Sequence, residues 1–230
     1  MSFIQEGAIF IADSHYPHHG DEFLELLQKI DRGEIETKQL FLMGDNFDLL
    51  FGYNSYIKTF SEDAISLLQK LSKKLEIHYL EGNHDFLLLE LFPDIKVYLR
   101  EEQPVIFSLH SQQVALSHGD RYATGFLYNL YSKILRNRYT ILFLRPFEKL
   151  IIDYRMRKLS QKSICHHFDS FEKRVGEIVK HYPKVDMIIE GHFHQARFVE
   201  NYCSLPSLAC QQSVGVIRGG KLEFVAIDSL

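Results

Sequence analysis

The sequence predicts an α/β fold, mixed β-sheets flanked by helices, and three observations carry that prediction. Short apolar runs of strand length alternate with amphipathic helical stripes. Five of the apolar runs end in clusters of metal-ligand residue types. Two further pairs of runs have hairpin spacing, so the sheets are expected to be mixed and not purely parallel.

The elements follow in chain order. Ala8-Ile9-Phe10-Ile11-Ala12 leads into Asp13-Ser14-His15. From Asp21 to Ile30, residues Phe23, Leu24, Leu26, Leu27 and Ile30 form a helical stripe with acids at its start. Leu40-Phe41-Leu42-Met43 runs into Gly44-Asp45-Asn46-Phe47-Asp48. Ser61 to Leu71 repeats the helical pattern through Ala64, Ile65, Leu67, Leu68 and Leu71, with Ser61 as its cap. Ile77-His78-Tyr79-Leu80 is followed by Glu81-Gly82-Asn83-His84-Asp85. Val105 to Leu109 and Gln113 to Ser117 read as a hairpin whose second arm meets His118-Gly119-Asp120. Phe168 to His181 is a third helix, stopped by Pro183. Met187-Ile188-Ile189-Glu190 ends in Gly191-His192-Phe193-His194, and a last hairpin turns at Gly219-Gly220 between Val214–Ile217 and Leu222–Ile227. Five ligand clusters at the carboxyl ends of strands point to one site at one edge of a sheet.

A chain of 230 residues with 46% hydrophobic content supports one well-formed core. The expectation is a single domain over 1–230 with a helical insertion at about 122–167. A net charge of −4 argues against a general polyanion binder. Charge is nevertheless uneven: ten basic and two acidic residues between Arg121 and Lys162 give that stretch +8, leaving −12 elsewhere. Cys165, Cys203 and Cys210 are odd in number and lack C-x-x-C spacing, so no disulfide framework is expected and a reducing compartment is. The amino-terminal residues do not form a secretory signal, and no apolar run reaches the roughly 18 residues that cross a bilayer.

Asp, Asn and His offer oxygen and imidazole nitrogen, which suit Mn²⁺, Fe²⁺ or Zn²⁺. No cysteine lies in the five clusters, against a thiolate zinc site. A bridging carboxylate lets two cations share a water that becomes hydroxide near neutral pH, the chemistry of a phosphoester hydrolase. His18, His19, His78, His110 and His181 fall outside the clusters and read as surface or structural, while His166-His167 sits in the basic stretch. Asp48 has two readings, orienting a ligand or capping a loop.

D-x-H, G-D-x-x-D, G-N-H-D, H-G-D and G-H-x-H, in this order from Gly7 to His194, resemble the calcineurin-like metallophosphoesterase superfamily. The resemblance implies a layered metallophosphoesterase sandwich holding two divalent cations, manganese foremost. Asp13, His15, Asp45 and His194 would hold one; Asp45, Asn83, His118 and His192 the other, with Asp45 bridging. It further implies His84 as the catalytic imidazole and Asp85 as its orienting carboxylate. Leu49-Leu50 follows Asp48 where protein phosphatases continue with Arg-Gly, which turns the reading away from that branch.

The insertion is both basic and apolar, carrying Phe126, Leu127, Tyr128, Leu130, Tyr131, Phe143, Phe147 and others among its cations. With Arg155-Met156-Arg157-Lys158-Leu159-Ser160-Gln161-Lys162 after it, the layout is similar to the UDP-2,3-diacylglucosamine hydrolases of lipid A biosynthesis. That resemblance implies an inserted lid and cleavage of the substrate's diphosphate to UMP and 2,3-diacylglucosamine 1-phosphate by a metal-bridging hydroxide. It also implies substrate contacts from Asp120, Arg121, Arg155, Arg157, Lys158, Ser160 and Lys162. The partners expected are a lipid-linked nucleotide and an anionic membrane surface, at the cytoplasmic face of the inner membrane. Neither nucleic acid nor an obligate protein partner is favoured. Two departures stand out: His84 where the best-known members carry Arg, and Ala123-Thr124-Gly125 where they carry an acid-containing triplet. A phosphodiesterase for a soluble nucleotide or nucleic acid is the alternative, and a non-catalytic scaffold the last.

Overall fold

The computed structural model describes residues 2–123 and 125–230. Thr124, in one of the two departures, lies outside them, as do the side chains of Ala123 and Phe126. Two six-stranded sheets form the core. One runs in the order Lys221–Ala226, Ser213–Arg218, Ile9–Ile11, Gln39–Leu42, Glu76–Leu80, Lys96–Tyr98. The other runs Ser2–Phe3, Val105–Leu109, Gln112–Ser117, Met187–Glu190, Tyr202–Ser204, Arg197–Val199.

Alternation along the strands produces the layers. Phe10, Ala12, Phe41 and Met43 of the first sheet pack with Phe107, Val114, Leu116 and Ile189 of the second. Their neighbours Ile9, Ile11, Leu40 and Leu42 face the other way, onto the helices Glu22–Arg32 and Glu62–Leu71. Ala115, Ile188 and Tyr202 of the second sheet face the helix Phe171–Ile178. Helix, sheet, sheet and helix are therefore stacked in that order. Burial on both faces explains why the motif-bearing strands read as continuous apolar runs.

Both predicted hairpins are antiparallel pairs, and the predicted helices form within a few residues of their expected bounds. Ser61 occupies the cap position of its helix, but its side chain makes no capping bond. The expected single sheet edge is corrected. Three ligand clusters leave parallel neighbours of the first sheet and two leave parallel neighbours of the second. The site thus lies where the edges of two stacked sheets meet.

Three helices, Phe126–Leu135, Arg138–Leu144 and Glu148–Ser160, form the basic, apolar stretch. Polar ties fasten them to the core at both ends. Arg100 Nε donates to Asp120 at 2.5 Å and its Nη2 to Asn129 at 2.6 Å. Arg136 pairs with Glu81 at 3.2 Å and lies over the Phe86 ring. At the far end Asn54 donates to Glu148 and Tyr56 to Asp153. No helix among the described residues is long and apolar enough to cross a membrane.

His78 is structural, as its position outside the clusters suggested. Its ring is fully buried and stacks on Phe41 at 4.7 Å, edge-on to Phe107. Burial pushes its pKa down to about 4, so it is neutral in the folded chain. An unfolded histidine takes up its proton near pH 6.5, so this contribution is whole above that value and lost as pH falls towards 4. The loss is on the order of 3 kcal/mol. His78→Gln is expected to flatten the acid limb of the urea-midpoint profile between pH 6.5 and 4; parallel profiles for the two proteins would exclude this role.

Candidate metal centre

Two clusters of ligand atoms form where the strands end. Asp13, His15 and His194 make one and Asp45, His118 and His192 the other, the ligand atoms of each lying within 4.8 Å of one another. Asn83 joins the second cluster, its Oδ1 3.2 Å from His118 Nε2. These are the seven residues that the motifs nominated as ligands.

The loops lock one another in place. The His192 amide donates to Asp13 Oδ2 at 2.8 Å, and the His84 amide to Asp45 Oδ1 at 2.7 Å. Asp13, His15, Asp45, His192 and His194 all adopt left-handed backbone, with φ between 48° and 57°. Such residues cost on the order of 1 kcal/mol or more each and persist only where their surroundings dictate them. The motif glycines explain how loops can approach so closely: a Cβ on Gly82 would fall 2.2 Å from Asp45 Oδ1, and one on Gly44 2.5 Å from His118 Nδ1.

The donor set fits divalent cations. His118 Nδ1–H donates to the Met43 carbonyl at 2.9 Å and His194 Nδ1–H to that of Ile164 at 3.1 Å. Each Nε2 thereby faces the cluster, as in metal-binding histidines whose second nitrogen is held by a carbonyl. Asp13 Oδ1 and His15 Nδ1 are buried without a hydrogen-bond partner in the protein. Burial pushes His15 to about 3 and His192 to about 4, so both are neutral donors at neutral pH. Burial opposes ionisation of Asp45, yet His118 and His84 outweigh it and hold the carboxyl well below its usual range. Asp45 in turn pushes His118 up to about 10 against its burial. A centre this electronegative attracts cations.

His84 lies at the lip of the cleft, its Nδ1–H donating to the Asp48 carbonyl at 2.6 Å. Asp85 is not its orienting carboxylate, a correction to the expected role. Its oxygens accept from the amides of Asp45, Asn46 and Gly82 and from the Tyr79 hydroxyl at 2.7–3.0 Å. Asp85 begins the short strand Asp85–Phe86, where successive side chains point to opposite sides, so it holds the Asp45 loop from beneath. The Asp48 carboxylate, buried, gathers His18 at 2.8 Å and His19 at 3.5 Å and lies 4.0 Å from His15. It backs a ligand, and its two surface-assigned histidines are its partners.

Arg155 and Lys158, on one face of the helix Glu148–Ser160, and Lys162 just past its end line a cavity of about 770 Å³ beside the cleft. Arg157 and Ser160 lie on the opposite face and line neither this cavity nor the cleft, which corrects their expected contacts. Asp120 is buried against Arg100, and Arg121 is spent on the carbonyls of Glu101 and Gln103, so neither faces the cleft. Cys165 and Cys210 form a disulfide, contrary to expectation, while Cys203 is buried and free. Sequence spacing carries no signal for a pair brought together by the return of the chain from the helical insertion, and the bond weighs against the reducing compartment inferred from cysteine usage. Arg136 was also missed; only its local basic context was visible.

The chain belongs to the calcineurin-like phosphoesterase family, whose model matches residues 8–196. It is a metal-dependent phosphoester hydrolase. Among its relatives are three proteins named UDP-2,3-diacylglucosamine hydrolase. The one from Hamiltonella defensa is 25% identical, covering 81% of this chain and 76% of the relative. That from Histophilus somni strain 129Pt is 26% identical, over 84% and 86%. The Vibrio cholerae N16961 protein is 27% identical, over 81% of each chain.

Removing the Asp85 carboxylate leaves several buried donors unpaired, at a cost on the order of 3 kcal/mol. Asp85→Ala is expected to lower the thermal midpoint and to shed bound Mn²⁺, measured by elemental analysis of the dialysed protein. A variant of wild-type metal content and stability, merely slower in turnover, would restore the orienting role.

Proposed function

We propose that this protein hydrolyses the diphosphate of UDP-2,3-diacylglucosamine, giving UMP and 2,3-diacylglucosamine 1-phosphate. The observation that carries the proposal is the 770 Å³ cavity beneath the helical insertion, which opens onto the centre through Asn83, His84 and Lys162. Leu49, Phe51, Phe86, Ile141, Leu144, Ile151 and Ile152 give it an apolar lining, with Arg136, Arg155 and Lys158 among them. An apolar chamber with cations, joined to a phosphoesterase centre, suits a substrate with acyl chains next to phosphate. The names of the relatives point the same way.

Asp13, His15, Asp45 and His194 would hold one cation, and Asp45, Asn83, His118 and His192 a second, manganese being the first choice. Such cations supply Lewis acidity to phosphoryl oxygens and lower the pKa of water. His84 keeps its Nε2 for the cleft because Nδ1–H is committed to the Asp48 carbonyl. From there it can hand a proton to the departing phosphate oxygen. Lys162 neutralises the diphosphate at the mouth of the chamber, and the lid excludes water from the acyl chains.

The outer surface of the insertion supports contact with an anionic membrane surface. Leu127, Phe143 and Leu150 are 79%, 81% and 74% exposed. The helices bearing them carry a basic excess, the combination of an interfacial helix.

Purified protein with Mn²⁺ is expected to cleave UDP-2,3-diacylglucosamine, followed by UMP release. Turnover of a simple aryl phosphodiester with none of the lipid nucleotide would turn the reading to a phosphodiesterase of soluble substrates. His84→Ala is expected to lower kcat by about 10²–10⁴ with metal content retained; loss of both metals would refute its role. In flotation assays, Phe143→Ser with Leu150→Ser is expected to release the protein from vesicles containing phosphatidylglycerol, whereas equal flotation would leave these side chains without a membrane role.

A further inference from the structure

One side chain of the helical insertion reaches into the framework of the candidate metal centre. Arg136 closes the helix Phe126–Leu135, and its side chain is only 7% exposed. Its Nε donates to Ser132 Oγ, one turn back on the same helix, at 3.1 Å. The rest of the guanidinium leaves the insertion. Nη1 donates to Glu81 Oε2 at 3.2 Å, Nη2 donates to the Gly82 carbonyl, and Cζ lies 5.4 Å from the centre of the Phe86 ring.

These contacts bracket the loop that carries Asn83 and His84. A peptide unit is planar, so the carbonyl of Gly82 and the amide of Asn83 turn together. The Gly82 amide is held by Asp85 Oδ1 at 2.8 Å, and Arg136 holds the carbonyl at the other end of the residue. Glu81 is fixed in its turn: Oε1 accepts from the Leu88 amide at 3.0 Å, and Gln103 donates to its carbonyl at 2.9 Å. From this seat Asn83 Oδ1 meets His118 Nε2 at 3.2 Å. Among the described residues, no bond of Arg136 reaches Asp13, His15 or His194 of the first cluster.

Resting on the two-cation reading above, we propose that Arg136 is a positioning residue for the second cation, that of Asp45, Asn83, His118 and His192, acting through the Gly82–Asn83 peptide. A guanidinium suits this place because its planar fork delivers three directed bonds at once, to Ser132, Glu81 and Gly82, which an ammonium cannot. Seating of the insertion and completion of the second cation site are thereby linked. The link runs through this single side chain, and the apolar lining of the chamber takes no part in it. Positioning and charge act with opposite sign here. By Coulomb attraction alone, deleting a positive charge beside a cation site, and leaving the Glu81 carboxylate unpaired, tightens the ion. Loss of positioning weakens it.

The test equilibrates the full-length protein against a graded series of buffered free Mn²⁺ and counts bound ions per chain by elemental analysis. The wild type is expected to take up two. Arg136→Met is expected to hold the first ion as the wild type does and to bind the second about 10–100-fold more weakly. The same is expected of Arg136→Met combined with Glu81→Gln, which spares the fold a lone buried carboxylate. Arg136→Lys is expected to fall between, keeping one donor but not the fork. Tyr56→Phe, which cuts the distant tie of the insertion to Asp153, is expected to keep both affinities. A second ion bound as tightly as in the wild type, or more tightly, by both Met variants would overturn the proposal and leave the two-cation reading intact. So would loss of both ions together, or an equal loss in Tyr56→Phe. Uptake of fewer than two ions by the wild type would sink the two-cation reading and the proposal with it.

Discussion

The structure depends on holding two carboxylates, Asp13 and Asp45, away from water at the point where two sheets meet. Burying such groups is costly unless they are bonded and neutralised. Each receives one amide, and in both cases it comes from another ligand loop: His192 for Asp13, His84 for Asp45. Asp85 then takes the amides of Asp45 and Asn46. The loops thus cross-tie in a closed set, and no cluster reaches its geometry without the others. Left-handed backbone at five ligands is sustained by this mutual constraint. The remaining negative potential, seen in how strongly Asp45 raises His118, is what cations would relieve.

The sandwich makes that constraint affordable. Parallel strands deliver three loops from one sheet and two from the other to a common edge, and the inter-sheet core fixes their spacing. Side chains there are close-packed, so the edge cannot relax to ease the strain. The helical insertion is built differently. It meets the core through the buried Ile141, Ile152 and Met156 and through separate polar ties, those of Arg100, Arg136, Asn54 and Tyr56, with much of its apolar surface facing solvent. Backbone constraint is concentrated at the candidate ligands and exposed apolar surface at the insertion.

The same division decides what could be read in the sequence. Strand-to-cluster runs were legible because apolar residues and then Asp, Asn or His, in most cases across a glycine, follow one another locally, and these runs nominated the seven residues that the structure brings together. The sheet count was not, because a single run does not say which strands pair: Gln112–Ser117 and Met187–Glu190 belong to a different sheet from the first three. Asp85 was misassigned for a related reason. Adjacency to His84 suggested partnership, whereas alternation sends neighbouring side chains apart. Arg157 and Ser160 failed by helical period, a pattern available in the sequence. The Cys165–Cys210 bond and the Arg136–Glu81 pair join residues 45 and 55 positions apart and leave no local trace.

Asn83, His84 and Lys162 stand where the apolar chamber meets the cleft that the candidate ligands line. The position of a reacting phosphorus is therefore set by the rigid edge, whatever is attached to it. The space beside it is set by the flank, an apolar chamber under three helices. That flank can change without disturbing the carboxylates, because the chamber's apolar lining contributes no candidate ligand atom. The candidate ligands are thus written in the strand ends and much of the chamber's wall in the insertion, so the two are separable in this fold.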